Sequence, residues 1–209
     1  MTRKLRPLLA AAMALTAFGV LAGSGAQAAE FHCSVEPCRV TMKPDGVVPS
    51  KTAHQVILFG NGVESFSTTC NSVTGEATMN SKTSSELTMS NINGEGCTIA
   101  GKASTLKANG CDYLLRSAGT LTINCPEGKE IENNGFECNY NIPAQGPLGG
   151  VAYHNISATE VTAELHVKLS VKASGSSCPW GTVTGEFTTS NVLLTSETPI
   201  GVMANFWWE

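Results

Sequence analysis

The chain has 209 residues and a net charge of −4, with 42% hydrophobic and only 14% charged residues. The first 28 residues hold three of the 13 basic residues and none of the 17 acidic ones, so the remaining 181 carry ten against 17, a net −7. That balance speaks against a nucleic-acid partner and against an anionic membrane surface, since both need clustered cations.

Arg3, Lys4 and Arg6 open the chain, an apolar run follows from Leu8 to Ala22, and Ala26-Gln27-Ala28 fits the small-x-small rule of signal peptidase. The run is shorter than the ~20 residues of a membrane-spanning helix. Residues 1–28 therefore read as a signal peptide, with cleavage before Ala29, and residues 29–209 as one disulfide-rich domain of a secreted protein.

All eight cysteines lie beyond that site, at positions 33, 38, 70, 97, 111, 125, 138 and 178. An even count in an exported chain reads as disulfides. Cys33 and Cys38 enclose "SVEP" and can close a small loop. Further on, Pro44-Asp45-Gly46 marks a turn, and "HQVILFGNGVESFSTTC" reads as strand, two-residue turn and strand. Asn-Gly pairs at positions 61, 93, 109 and 134 predict further hairpin turns, because both residues tolerate positive φ.

Cys97 and Cys111 flank "TIAGKASTLKANG", and Cys125 and Cys138 flank "PEGKEIENNGFE". Each pair is expected to bridge the base of a hairpin. Leu121, Ile123 and Cys125 alternate with polar residues, as do Phe136, Cys138, Tyr140 and Ile142. From Glu160 to Lys172, Val161, Ala163, Leu165, Val167, Leu169 and Val171 alternate with polar neighbours, the period of a half-buried antiparallel strand. No helical stripe interrupts this pattern. The fold class is all-β, an antiparallel sandwich or barrel stapled by disulfides.

Cys70 and Cys178 remain, each just ahead of a Val-Thr-Gly-Glu stretch, in "TTCNSVTGEAT" and "CPWGTVTGEFTT". A redox motif needs Cys-x-x-Cys, which neither contains. The echo predicts two neighbouring strands joined by Cys70–Cys178. Together with "GCTIAG", "NGCDYLL", "INCPEGKEI" and "VAYHNIS", these stretches resemble a group of secreted, cysteine-rich β proteins of soil-dwelling, high-GC bacteria. The likeness spans roughly Phe31 to Trp208. It implies export and an all-β fold, and brings no catalytic residues.

Chemistry is sparse. There is no nucleophile elbow, zincin helix or phosphate loop, and Asp45 and Asp112 are the two aspartates. His32, His54, His154 and His166 lack metal-ligand spacing, so neither metal nor cofactor is expected. Glu127, Glu130, Glu132 and Glu137 read as a solvated edge rather than a glycosidase pair. "NIS" at Asn155 matches the glycosylation acceptor pattern, a weak match in a bacterial chain.

Trp180, Trp207 and Trp208 are the large flat groups in a chain with 6% aromatics. A tryptophan completing the core is the plain expectation, whereas an exposed one offers a platform to a sugar ring. Alternation predicts that Trp207 and Trp208 face opposite ways and differ in exposure. Three functions follow: a non-catalytic secreted module that binds a neutral polysaccharide or an envelope protein, a hydrolase using His54 or His154 with Asp112 and a serine, or a self-assembling envelope component.

Overall fold

A computed structural model describes residues 28–44, 55–135 and 137–209. Residues 1–27 of the segment read as a signal peptide, Asp45-Gly46, His54 and Phe136 lie outside these. The described residues are all-β, with no helix.

Eighteen strands follow one another. β1 (Phe31–Cys33) and β2 (Cys38–Pro44) flank the first disulfide; β3 (Gln55–Gly60) and β4 (Ser65–Cys70) make a hairpin. β5 (Ser72–Met79), β6 (Thr83–Ser84), β7 (Glu86–Glu95), β8 (Thr98–Ile99) and β9 (Lys102–Lys107) come next. Then follow β10 (Asp112–Arg116), β11 (Thr120–Asn124), β12 (Ile131–Gly135) and β13 (Asn139–Ile142). The last are β14 (Gln145–Gly149), β15 (Val151–Ser157), β16 (Glu160–Ser174), β17 (Gly181–Glu197) and β18 (Phe206–Trp208).

Eight of them close a barrel in the order β17-β3-β4-β8-β9-β12-β13-β16, sealed by the β16–β17 pairing. Closure removes the exposed ladder edges that an open sheet leaves. A second arm continues from β17 through β2, β5, β7, β10 and β11 to β14, and β15 flanks β16. β1, β6 and β18 form a separate small sheet.

The long β16–β17 hairpin serves both parts. Leu165–Ala173 pairs with Gly181–Thr189 in the barrel, and Glu160–Ala163 with Val192–Thr195 in the arm. Between them the register shifts, one residue of β16 facing two of β17. Such a bulge bends a strand, which lets one hairpin turn from barrel to arm.

The predicted alternation holds along β16, where every odd residue from Val161 to Ala173 is buried. Phe59, Tyr140, Phe187 and Phe206 are among the largest fully buried side chains, each contributing about 1.5–3 kcal/mol by burial. Inside the barrel Asn133 Nδ2 donates to the Tyr140 hydroxyl at 3.1 Å.

The cysteines pair as Cys33–Cys38, Cys70–Cys97, Cys111–Cys125 and Cys138–Cys178. The first is as expected; the expected Cys70–Cys178, Cys97–Cys111 and Cys125–Cys138 are replaced. β4 and β8 are neighbours with Thr69 opposite Thr98, which sets Cys70 against Cys97. Asp112 lies opposite Asn124, setting Cys111 against Cys125. The segments read as hairpin loops instead lead from one part of the fold to the other: Cys125 follows an arm strand, Cys138 precedes a barrel strand.

The echoed strands are not neighbours either. β2 stands between β5 and β17. What the two stretches share is local: a Cβ on Gly75 would come within 2.8 Å of Ile92 Cδ1, and one on Gly185 within 2.7 Å of Val171 Cγ2. Each glycine admits a side chain across the strand. Asn93-Gly94 is not a turn but part of β7, and the β3–β4 loop has four residues, with Asn61 Oδ1 accepting from the Val63 and Glu64 amides.

Candidate aromatic cleft

Two segments meet at one rim of the barrel. The β3–β4 hairpin brings Glu64, Ser65 and Phe66; the segment entering β17 brings Ser176, Ser177 and Trp180. Together they line a cleft of about 680 Å³, within the ~300–1,000 Å³ of small-ligand sites.

The second segment is clipped down. Cys178 is bonded to Cys138, the Ser177 amide donates to the Glu137 carbonyl at 3.0 Å, and Ser177 Oγ donates to Glu137 Oε2 at 3.1 Å. Lys102 Nζ donates to the same carboxylate oxygen at 3.1 Å. These donors, Lys102 foremost, hold the Glu137 carboxyl below its ordinary value. Glu130 is likewise lowered by its bond to Lys172, so two of the four glutamates expected at a solvated edge are ion-paired.

Trp180 is half-buried, tilted against Phe66 at 5.4 Å between centroids and edge-on to Phe59 at 6.3 Å. Phe59 in turn packs on Tyr140 at 4.9 Å. The indole is thus backed by a stack of rings rooted in the core while it also lines the cleft.

Two more clefts adjoin. One of about 330 Å³ shares Glu64 and Ser65 with the first and is lined by Leu58, Lys168, Thr184 and Glu186. Another of about 400 Å³ shares Lys168 and Thr184 with the second and reaches Gln145, Ser170 and Thr182. Its floor is fixed, because Gln145 Nε2 donates to the Ser170 carbonyl and its Oε1 accepts from the Ser170 amide. None of these three is lined by a histidine among the described residues.

Trp207 and Trp208 lie elsewhere, on β18. They do face opposite ways, but not as one buried and one exposed residue: both are half-buried, and Trp208 packs against the core. Trp207 stacks on its cross-strand partner His32 at 5.0 Å, and Trp208 packs on Tyr153 at 5.8 Å. Trp208 Nε1 donates to the Ser117 carbonyl at 3.1 Å, so its polar edge is occupied as well. The Asn155 amide brackets the Trp208 backbone, donating to its carbonyl and accepting from its amide, each at 2.8 Å. That engages the nitrogen a glycan would need.

His154 and His166 flank Glu164 at 3.9 and 3.1 Å on an exposed strand face, and His32 lies 3.5 Å from Glu209. Asp112 lines a separate cleft with Asn109 and Ser90. The histidine, aspartate and serine of the hydrolase reading are not brought together among the described residues. Sequence reasoning singled out Trp180 but missed Phe66, Glu64 and Lys168; the β3–β4 hairpin that brings the first two lies more than a hundred residues before Trp180, and the outward phase of Lys168 in β16 was the available signal.

No family model matches the chain, and no curated protein and no solved structure is similar to it.

Proposed function

We propose that this protein is a secreted, non-catalytic module that binds a neutral polysaccharide at or outside the bacterial cell envelope. The observation that carries this reading is Trp180, a core-backed indole lining an open cleft among Ser176, Ser177 and Glu64. A flat aromatic face suits the apolar face of a sugar ring, and flanking hydroxyls and carboxylates suit its hydroxyl groups. The carboxylate and the acidic chain disfavour an anionic glycan.

Export is supported by the basic and apolar N-terminus and by four disulfides, which persist in oxidising compartments. Among the described residues the hydrolase reading lacks a histidine at these clefts. The barrel closure and the Asn155 clasp between β15 and β18 reduce the sheet edges open to self-assembly, leaving β14 at the end of the arm.

Affinity electrophoresis through gels carrying neutral polysaccharides tests the proposal. Retardation of the wild-type protein, lost in Trp180→Ala and kept in Trp208→Phe, is expected. Unretarded migration in every neutral polysaccharide, or release of reducing ends from one, contradicts it.

A further inference from the structure

The three abutting clefts form one path. It starts at Trp180 and Phe66, crosses the rim at Glu64 and Ser65, and continues past Lys168 and Thr184 to Thr182 and Gln145. Along β17 alone, Thr182 to Glu186 adds about 13 Å at ~3.3 Å per residue. That is longer than a single sugar ring, and it lies beyond the aromatic cleft.

The charges on this path are held apart. Arg116 and Glu86 are directly opposed across β10 and β7, and they close to 3.5 Å. Lys168 and Glu186 are directly opposed across β16 and β17, yet no ion pair joins them among the described residues. Glu64 has no ion pair there either. Their charged groups line the cleft without an ion-pair partner among the described residues, two carboxylates against one ammonium. Uncommitted polar groups of both kinds match the hydroxyls of a neutral chain, which donate and accept alike. An anionic chain would meet an excess of like charge.

We infer that the site takes an extended neutral oligosaccharide rather than a single sugar, with one unit on Trp180 and further units on the Lys168–Glu186 surface. This deepens the polysaccharide reading and rests on it. The inference predicts that affinity grows with chain length until the path is filled.

Isothermal titration of the mature protein with cello- and chito-oligosaccharides of one to six units tests this. Affinity should rise roughly tenfold or more from two units to six, about 1.4 kcal/mol per decade. Lys168→Ala/Glu186→Ala should abolish that gain and leave two-unit binding unchanged, both residues being exposed. Trp180→Ala should remove binding at every length; Trp180→Phe, which keeps a ring, should retain part of it. Binding that does not strengthen with length, or a gain that survives the double substitution, overturns the extended path and leaves the Trp180 platform standing. Absence of binding to either series at all lengths overturns both.

Discussion

Trp180 and Trp208 are both half-buried, and both pack on a ring rooted in the core, yet their surroundings differ. Trp208 has its indole nitrogen bonded to Ser117, its face on Tyr153 and its backbone clasped by Asn155. Trp180 has Phe59 and Phe66 behind it and a cleft beside it. One closes the small sheet onto the arm; the other lines a cleft. Fractional burial alone does not separate these two indoles, whereas the contacts each has already satisfied do.

The largest test of this contrast is the clip beneath Trp180. Cys138–Cys178 closes a loop of 40 residues, and its replacement by serines should cost about 4 kcal/mol on chain-entropy grounds. Removal of Cys33–Cys38, five residues apart, should cost about 2 kcal/mol. Urea denaturation measures both, and polysaccharide retention should fall with the first alone.

Trp208→Ala should cost about 3 kcal/mol, through a cavity over Tyr153 and an orphaned Ser117 carbonyl. Trp180→Ala should cost about half as much, since its cleft side already faces solvent. Equal losses at the two positions would erase the distinction.

The two sites should also part with pH. Burial raises Tyr113 and Tyr153 above their ordinary 10.0, and pushes Tyr140 up to about 12, partly offset by the Asn133 bond. A raised folded-state value favours the neutral hydroxyl, so this stability is complete below pH 10 and is lost as pH climbs from there. For Tyr140 the loss is on the order of 2–3 kcal/mol by pH 12, at 1.36 kcal/mol per unit. Thermal melts from pH 8 to 12 should fall accordingly, with Tyr153 placing part of that loss under Trp208 and Tyr140 part of it under Phe59 and Trp180; the difference between the sites lies on the acid side.

Glu137, by contrast, is held below its ordinary 4.5, so its contribution is complete above 4.5 and lost as pH falls from there through the lower folded-state value. The Trp180 segment should therefore loosen in acid, by a small, salt-sensitive amount, seen as increased acrylamide quenching of Trp180. Smallest of all, Trp207→Ala should shift stability by less than about 1 kcal/mol, because it stacks on His32 at an edge of the fold.

The all-β class was legible because β16 alternates without interruption, and the Cys33–Cys38 loop because its closure is local. Cys70–Cys97 and Cys138–Cys178 were not, since barrel closure chooses strand neighbours across long separations; Cys111–Cys125 spans the local β10–β11 hairpin and was hidden once Cys111 was given to Cys97. Cys97 sits beside Cys70 only because β8 pairs with β4. The Val-Thr-Gly-Glu echo misled for a related reason: a glycine making room for a side chain recurs wherever strands crowd, adjacent or not. At the site, Trp180 was legible by type, but its partners arrive from β3, β4 and β16, and sequence spacing holds no record of that convergence.

The most direct test uses three proteins that each retain one tryptophan, the other two replaced by phenylalanine, titrated with acrylamide with and without a soluble neutral polysaccharide. Polysaccharide should shield Trp180 from quenching and leave Trp207 and Trp208 unchanged. Shielding of Trp207 or Trp208 instead, or no shielding at any of the three, would contradict the assignment of Trp180 as the binding platform.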